Sequence, residues 1–150
     1  MVKIKSIVDA VSELMQERFP TLTAYRNMVR QNFQRPSFLV AAQKQTMADS
    51  TSRTVDRTSQ VKITLFVPVD DYHDSQMDEL ADLLADAMEL FSCRAIGVGD
   101  RYLDVGDVSG TVEYDFAELV VPLSWQDDRE LHEQEYQPAT EIDLTIEVNR

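Results

Sequence analysis

Between Val61 and Val69 the apolar residues fall on every second position: Val61, Ile63, Leu65, Val67 and Val69, with Lys62, Thr64 and Phe66 between them. A period of two sets five aliphatics on one face of a strand and commits that face to a core. The pattern predicts a central strand over 57–69, stopped by Pro68 and by Asp70-Asp71. Residues 3–19 repeat at three and four instead. Ile4, Ile7, Val8, Val11, Leu14, Met15 and Phe19 share one face, and Asp9, Glu13, Gln16 and Glu17 share the other. That is an amphipathic helix, ended by Pro20, because the residue before a proline avoids the helical region. A second helix begins near Ser75, with Asp78 three residues on as a capping partner. Its stripe is Met77, Leu80, Ala81, Leu84, Ala87, Met88 and Phe91.

Shorter elements fill the intervals. Residues 21–26 suit a strand carrying Thr23 and Tyr25. Val29 and Phe33 permit one helical turn before Arg35-Pro36 breaks it. Residues 37–45 read as a strand with Phe38 and Val40 on one face, Leu39 and Ala41 on the other. Residues 46–59 are rich in Ser and Thr and show no core-forming period, so they are expected to be a long loop or an extended hairpin tip. All four glycines, Gly97, Gly99, Gly106 and Gly110, fall in one stretch. They bracket a strand over 101–105 and a turn over 106–110. Residues 111–125 read as one long strand whose last part leaves the sheet or forms its edge at Pro122. The polar, acidic residues 126–139 read as a linker. Residues 140–148 alternate Ile142, Leu144, Ile146 and Val148 with Glu141, Asp143, Thr145 and Glu147. Such a strand pairs within its own sheet or adds to a neighbour's open edge.

The expected architecture is α+β: a mainly antiparallel, twisted sheet, two amphipathic helices packed on one face, a long hairpin loop and a C-terminal strand. The expected organisation is a domain over 1–125, an acidic linker over 126–139 and the strand over 140–150.

Composition narrows the classes of function. The chain has 150 residues and is 43% hydrophobic, ample for one core. No apolar run approaches about 20 residues, so no membrane-spanning helix is expected. Charged residues interrupt the N-terminal apolar pattern, which argues against a secretory signal. Cys93 is the single cysteine, which leaves no intrachain disulfide and no cysteine-based zinc site, and fits synthesis in a reducing cytoplasm.

The net charge of −13 is unevenly spread. Residues 1–62 carry ten Lys/Arg against five Asp/Glu, and residues 63–150 carry four against twenty-two. Nucleic-acid binding needs clustered cations, so so acidic a chain is not expected to seek nucleic acid as a ligand. The asymmetry suits a subunit with a basic and an acidic side, packing head to tail with copies of itself; the alternative is acidity that serves solubility alone. Asp78, Glu79, Asp82, Asp86 and Glu89 crowd the wet face of the second helix with no cation among them. That face is either simply solvated or turned toward a basic partner surface.

Candidate chemistry is sparse. Asp70, Asp71, His73 and Asp74 are the nearest approach to a cation site, but neighbours on a loop diverge and no second histidine is near. Gly97-Val98-Gly99 lacks the third glycine, the preceding strand and the following helix of a dinucleotide fingerprint. Cys93 and His132 do not make a nucleophile and base, because a helix C-terminus disfavours a thiolate. Trp125 and Tyr136 are more simply core or hinge packing than partner contacts. No catalytic arrangement, cofactor or metal is expected.

One family matches the order of these elements. The N-terminal helix, the run Gln31-Asn32-Phe33-Gln34-Arg35-Pro36-Ser37-Phe38-Leu39-Val40, the strand over 61–69, the acidic helix and the glycine turn into Tyr114-Asp115-Phe116 resemble the tail terminator (tail completion) proteins of contractile-tailed phages and prophages of Gram-positive bacteria. The resemblance covers roughly residues 3–121. It departs at Asn32, where that family is expected to have glycine; Asn tolerates a positive φ, so the turn survives.

The resemblance implies a structural virion protein made in the host cytoplasm and placed at the head–tail junction. It implies a homo-hexameric ring that caps the tail tube, ends its growth and meets the head connector. DNA would pass through the lumen without specific binding. The implied partners are other copies of the chain, the tail tube protein, the sheath and the connector proteins. Another head–tail joining or neck protein of the same particle is the alternative, and a small acidic metal-binding domain or enzyme is a more distant one. Contact residues expected under this reading are Phe33, Arg35, Arg53 and Arg57 on the basic side, Asp82, Asp86 and Glu89 on the acidic side, and Ile142, Leu144 and Ile146 on the last strand.

Overall fold

In chain order the elements are α1 (Ile4–Arg18), β1 (Thr23–Arg26), β2 (Ser37–Asp49), β3 (Thr54–Phe66), α2 (Met77–Leu90), β4 (Ala95–Val98), β5 (Arg101–Val105), β6 (Ser109–Val112) and β7 (Ala117–Asp128). They come from a computed structural model that describes residues 2–28, 31, 33–68, 77–113 and 115–128. The chain is α+β. Its sheet runs β1-β2-β3-β7-β5-β4, and β6 also pairs with β7. Every described pairing is antiparallel except β1 with β2.

The two-residue period places the core. Val61, Ile63, Leu65 and Val67 are buried, as are Ala117, Leu119, Val121, Leu123 and Trp125 of β7 beside them. Ile7, Val8, Val11 and Met15 of α1, and Leu80, Leu84 and Ala87 of α2, join these residues in one cluster. Each fully buried aliphatic contributes about 1.5–3 kcal/mol, so this shared surface holds helices to sheet. Gly110 brings α2 close: a Cβ there would lie 2.8 Å from Leu84 Cδ1.

Several expectations change. Of the two expectations for residues 46–59, the extended hairpin tip holds and the long loop does not. β2 continues to Asp49 and β3 begins at Thr54, so the connection is only residues 50–53. Thr51 Oγ1 accepts from the backbone N–H of Arg53 (3.1 Å) and of Thr54 (3.0 Å), which shapes that turn. The missing apolar period has a physical cause: residues 43–49 are exposed, and a strand wet on both faces needs no alternation.

Residues 111–125 are two strands, not one. The chain reverses over 113–116, where Glu113 N–H donates to Phe116 O at 2.7 Å, and β6 pairs back on β7 with Val112 opposite Ala117. Alternation carried on through the turn because Phe116 is also partly covered, its ring 6.5 Å from that of Phe66. Pro122 does not mark an edge: it lies between β3, where it faces Gln60, and the junction of β6 with β5. Its carbonyl accepts from Gly106 N–H at 2.8 Å, so its nitrogen, which has no hydrogen to give, also faces that junction.

Gly97 stands within a strand. β4 pairs with β5 through a turn at Gly99 and Asp100, and Gly99 takes the left-handed φ of 63°. Gln126, Asp127 and Asp128, expected in the acidic linker, belong to β7, and residues 129–139 lie outside the described residues. Residues 140–148, with Ile142, Leu144 and Ile146, lie outside the described residues.

Candidate functional site

Phe33 and Arg35 turn out to serve the subunit's own packing. On the sheet face away from the helices, Tyr25, Phe33, Phe66 and Phe116 form a chain of rings. The Arg35 guanidinium lies over both the Phe33 ring (4.9 Å) and the Phe66 ring (5.1 Å). It donates to Val67 O (2.9 Å) and Asp115 O (3.2 Å), tying the segment before β2 to the ends of two other strands. With 18% of its side chain exposed, Arg35 offers little to a partner, and a guanidinium stacked and forked in this way does what a lysine would not. Phe33 keeps a half-buried ring.

Arg53 sits in the hairpin turn and is exposed. Arg57 lies on β3, half-buried, its Nε 3.3 Å from the buried carboxylate of Asp127. Arg101 completes the group by donating to Asp127 Oδ1 (2.9 Å), and Trp125 Nε1 donates to Asp127 Oδ2 (2.9 Å). Asp127 is thus a fully buried anion matched by two arginines and an indole. Trp125 packs in the core, and Asp127 belongs to β7 and not to a linker. Following the buried period from Ala117 through Trp125 one step further would have placed Asp127 inside.

The acidic ridge stands free on α2. Asp82, Asp86 and Glu89 are exposed, one helical turn apart, with no basic residue in the last turn of the helix. Arg18 of α1 approaches Asp86 to 3.9 Å with both side chains more than half exposed, a weak pair. α2 packs beside Gly110, which faces Leu119 of β7, and the hairpin tip at Thr54 faces Asp128. At about 3.3 Å per residue, roughly 30 Å of β7 separates the acidic helix from the tip that carries Arg53. The broader idea of a basic and an acidic side needs correction, because cations of β3 pair with carboxylates of β7: Lys62 with Glu118 (3.0 Å) and Arg57 with Asp127. Segregation along the chain is partly cancelled across the sheet.

A groove of about 400 Å³ opens beside the start of α1, lined by Val2, Ile4, Gln45, Met47, Arg57 and Trp125 among others. Among the described residues no three His, Cys, Asp or Glu side chains gather as a metal site. Asp70, Asp71 and His73 lie outside the described residues, as do His132 and Tyr136. Cys93 is exposed just after α2. Among the described residues no helix is long and apolar enough to cross a membrane.

These features define an α+β domain with buried ion pairing at the end of β7 and an acidic ridge left outward on α2. Residues 6–135, most of the chain, match the family model described as phage tail terminator protein. The chain belongs to the phage tail terminator family, and so to the structural proteins of phage tails. No curated protein matches it. One solved structure without a functional name aligns at 16% identity with a TM-score of 0.44, over 86% of this chain and 94% of that one.

Proposed function

We propose that this chain assembles into a ring, a homo-hexamer, that caps the tail tube of a contractile phage, ends its polymerisation and joins it to the head connector. The family match over residues 6–135 carries this reading, because it spans both helices and all seven described strands. The placement of charge supports it. An acidic ridge on α2 and Arg53 at the hairpin tip lie roughly 30 Å apart along β7, and contacts between unlike patches of one subunit form a ring where the rotation between copies closes. Tube protein and sheath meet one face of the ring, connector proteins the other, and DNA crosses the lumen without specific contacts. Labelling the chain on phage particles and locating it by electron microscopy tests the proposal. Label at the head-proximal end of the tail tube is expected; label along the tube or on the connector alone would place the chain elsewhere in the particle.

A further inference from the structure

We propose that the outer edge of β2 receives residues 140–148 of a neighbouring copy as an added strand. β1 covers β2 only across Ser37–Val40, with Asn27 N–H donating to Val40 O as the last contact. β2 then runs on to Asp49 with β3 on its inner side, and no described strand pairs with its outer side. Edges of this length are usually blunted by proline or several charges. This one has a bulge at Gln43, where the register passes from Ala42–Val61 to Lys44–Gln60, and the single cation Lys44 before Asp49.

Backbone direction along the edge follows from Pro122. Its carbonyl points away from β3, so Gln60 opposite it points toward β2 and bonds Lys44. Gln45 and Met47 therefore turn their N–H and C=O groups outward, ready for a partner strand.

The two faces of the edge differ. Met47 stands opposite Arg57, and Arg57 opposite Trp125, so Met47 shares the helix-side face. It is 61% exposed and lines the groove with Val2, Ile4 and Trp125. Lys44 and Lys62 occupy the other face. Residues 140–148 carry the complementary division: Ile142, Leu144, Ile146 and Val148 on one side, Glu141, Asp143 and Glu147 on the other, with no proline or glycine. Aliphatics over Met47 and the groove bring the carboxylates to the lysine side, and a one-residue slip would invert both.

Donation between copies rests on the proposed ring. Each chain holds one edge and one donor strand, and passing the strand to the next copy makes a head-to-tail contact that closes. β7 ends at Asp128 beside the hairpin tip. Eleven residues, 129–139, reach at most ~35 Å when extended, enough to cross to a neighbour.

Disulfide trapping tests this. In a Cys93→Ser background, one chain carries Gln45→Cys or Met47→Cys and a second carries Leu144→Cys or Ile146→Cys; the two are purified apart, mixed and oxidised. A disulfide between unlike chains is expected in at least one pairing. Its absence in all four, or closure only within one chain when both cysteines share it, overturns the proposal. Deleting residues 140–150 should reduce the assembled fraction at least tenfold, and an unchanged fraction also overturns it. The native mass of the unmodified chain reads ring formation separately: a ring without cross-links defeats strand donation alone, whereas a monomer defeats the ring as well.

Discussion

Arg101 Nη1 stands 2.9 Å from Asp127 Oδ1 and ties the β4–β5 hairpin to the end of β7. The carboxylate is fully buried and also meets Arg57 and Trp125. Removing it leaves the indole N–H and half-buried Arg57 without their acceptor, while Arg101 keeps its bond to Gln126 O. Asp127→Ala should therefore destabilise the fold by about 3 kcal/mol, read as a lower urea midpoint. Asp127→Asn keeps the shape and one acceptor oxygen, and should cost less.

Gly110 and Leu84 hold α2 against β6. Gly110→Val forces the buried Leu84 side chain aside and should cost about 1–3 kcal/mol by thermal unfolding. Leu84→Ala frees that space, so the double variant should lose less than the sum of the two single losses.

Asp9 links α1 to β1 through Arg26, and its pKa is held below the ordinary carboxylate range, chiefly by the Arg26 hydrogen bond, with help from Lys5. A lowered folded-state pKa gives stability that is present above the unfolded-state value and lost as pH falls through the folded-state value. Arg26→Gln should raise the Asp9 pKa, followed by NMR titration of its carboxyl. It should also flatten the acid limb of the stability curve, with little effect near neutrality beyond loss of the exposed pair.

Asp82 and Asp86 face outward on α2, so exchanging both for lysine should shift the unfolding free energy by no more than about 1 kcal/mol. Under the ring reading the same double variant should assemble poorly. Sedimentation of the variant beside the parent chain separates the two effects; unchanged assembly would mean that the ridge faces only water.

The sequence showed most clearly those elements whose two faces meet different surroundings. α1, α2 and the Val61–Phe66 half of β3 each set a core against solvent, so their periods were plain, and β5 was found at its observed bounds. The outer half of β2 was hidden because both its faces are wet. The β6–β7 reversal was hidden because apolar alternation continues across the turn through Phe116. The packing role of Arg35 depends on Val67 and Asp115, which lie far away in the chain, so its contacts within the fold were not legible. Asp127 looked solvated because its two arginines come from β3 and β5. The acidic ridge of α2 was legible because charge on a helix face is local.

The most direct test is the mass of the purified, unmodified chain by native mass spectrometry, with negative-stain images of the same sample. A closed ring of six copies, seated on the ends of tail tubes when these are added, is the predicted result. A monomer at high concentration that leaves tube ends bare would contradict the account.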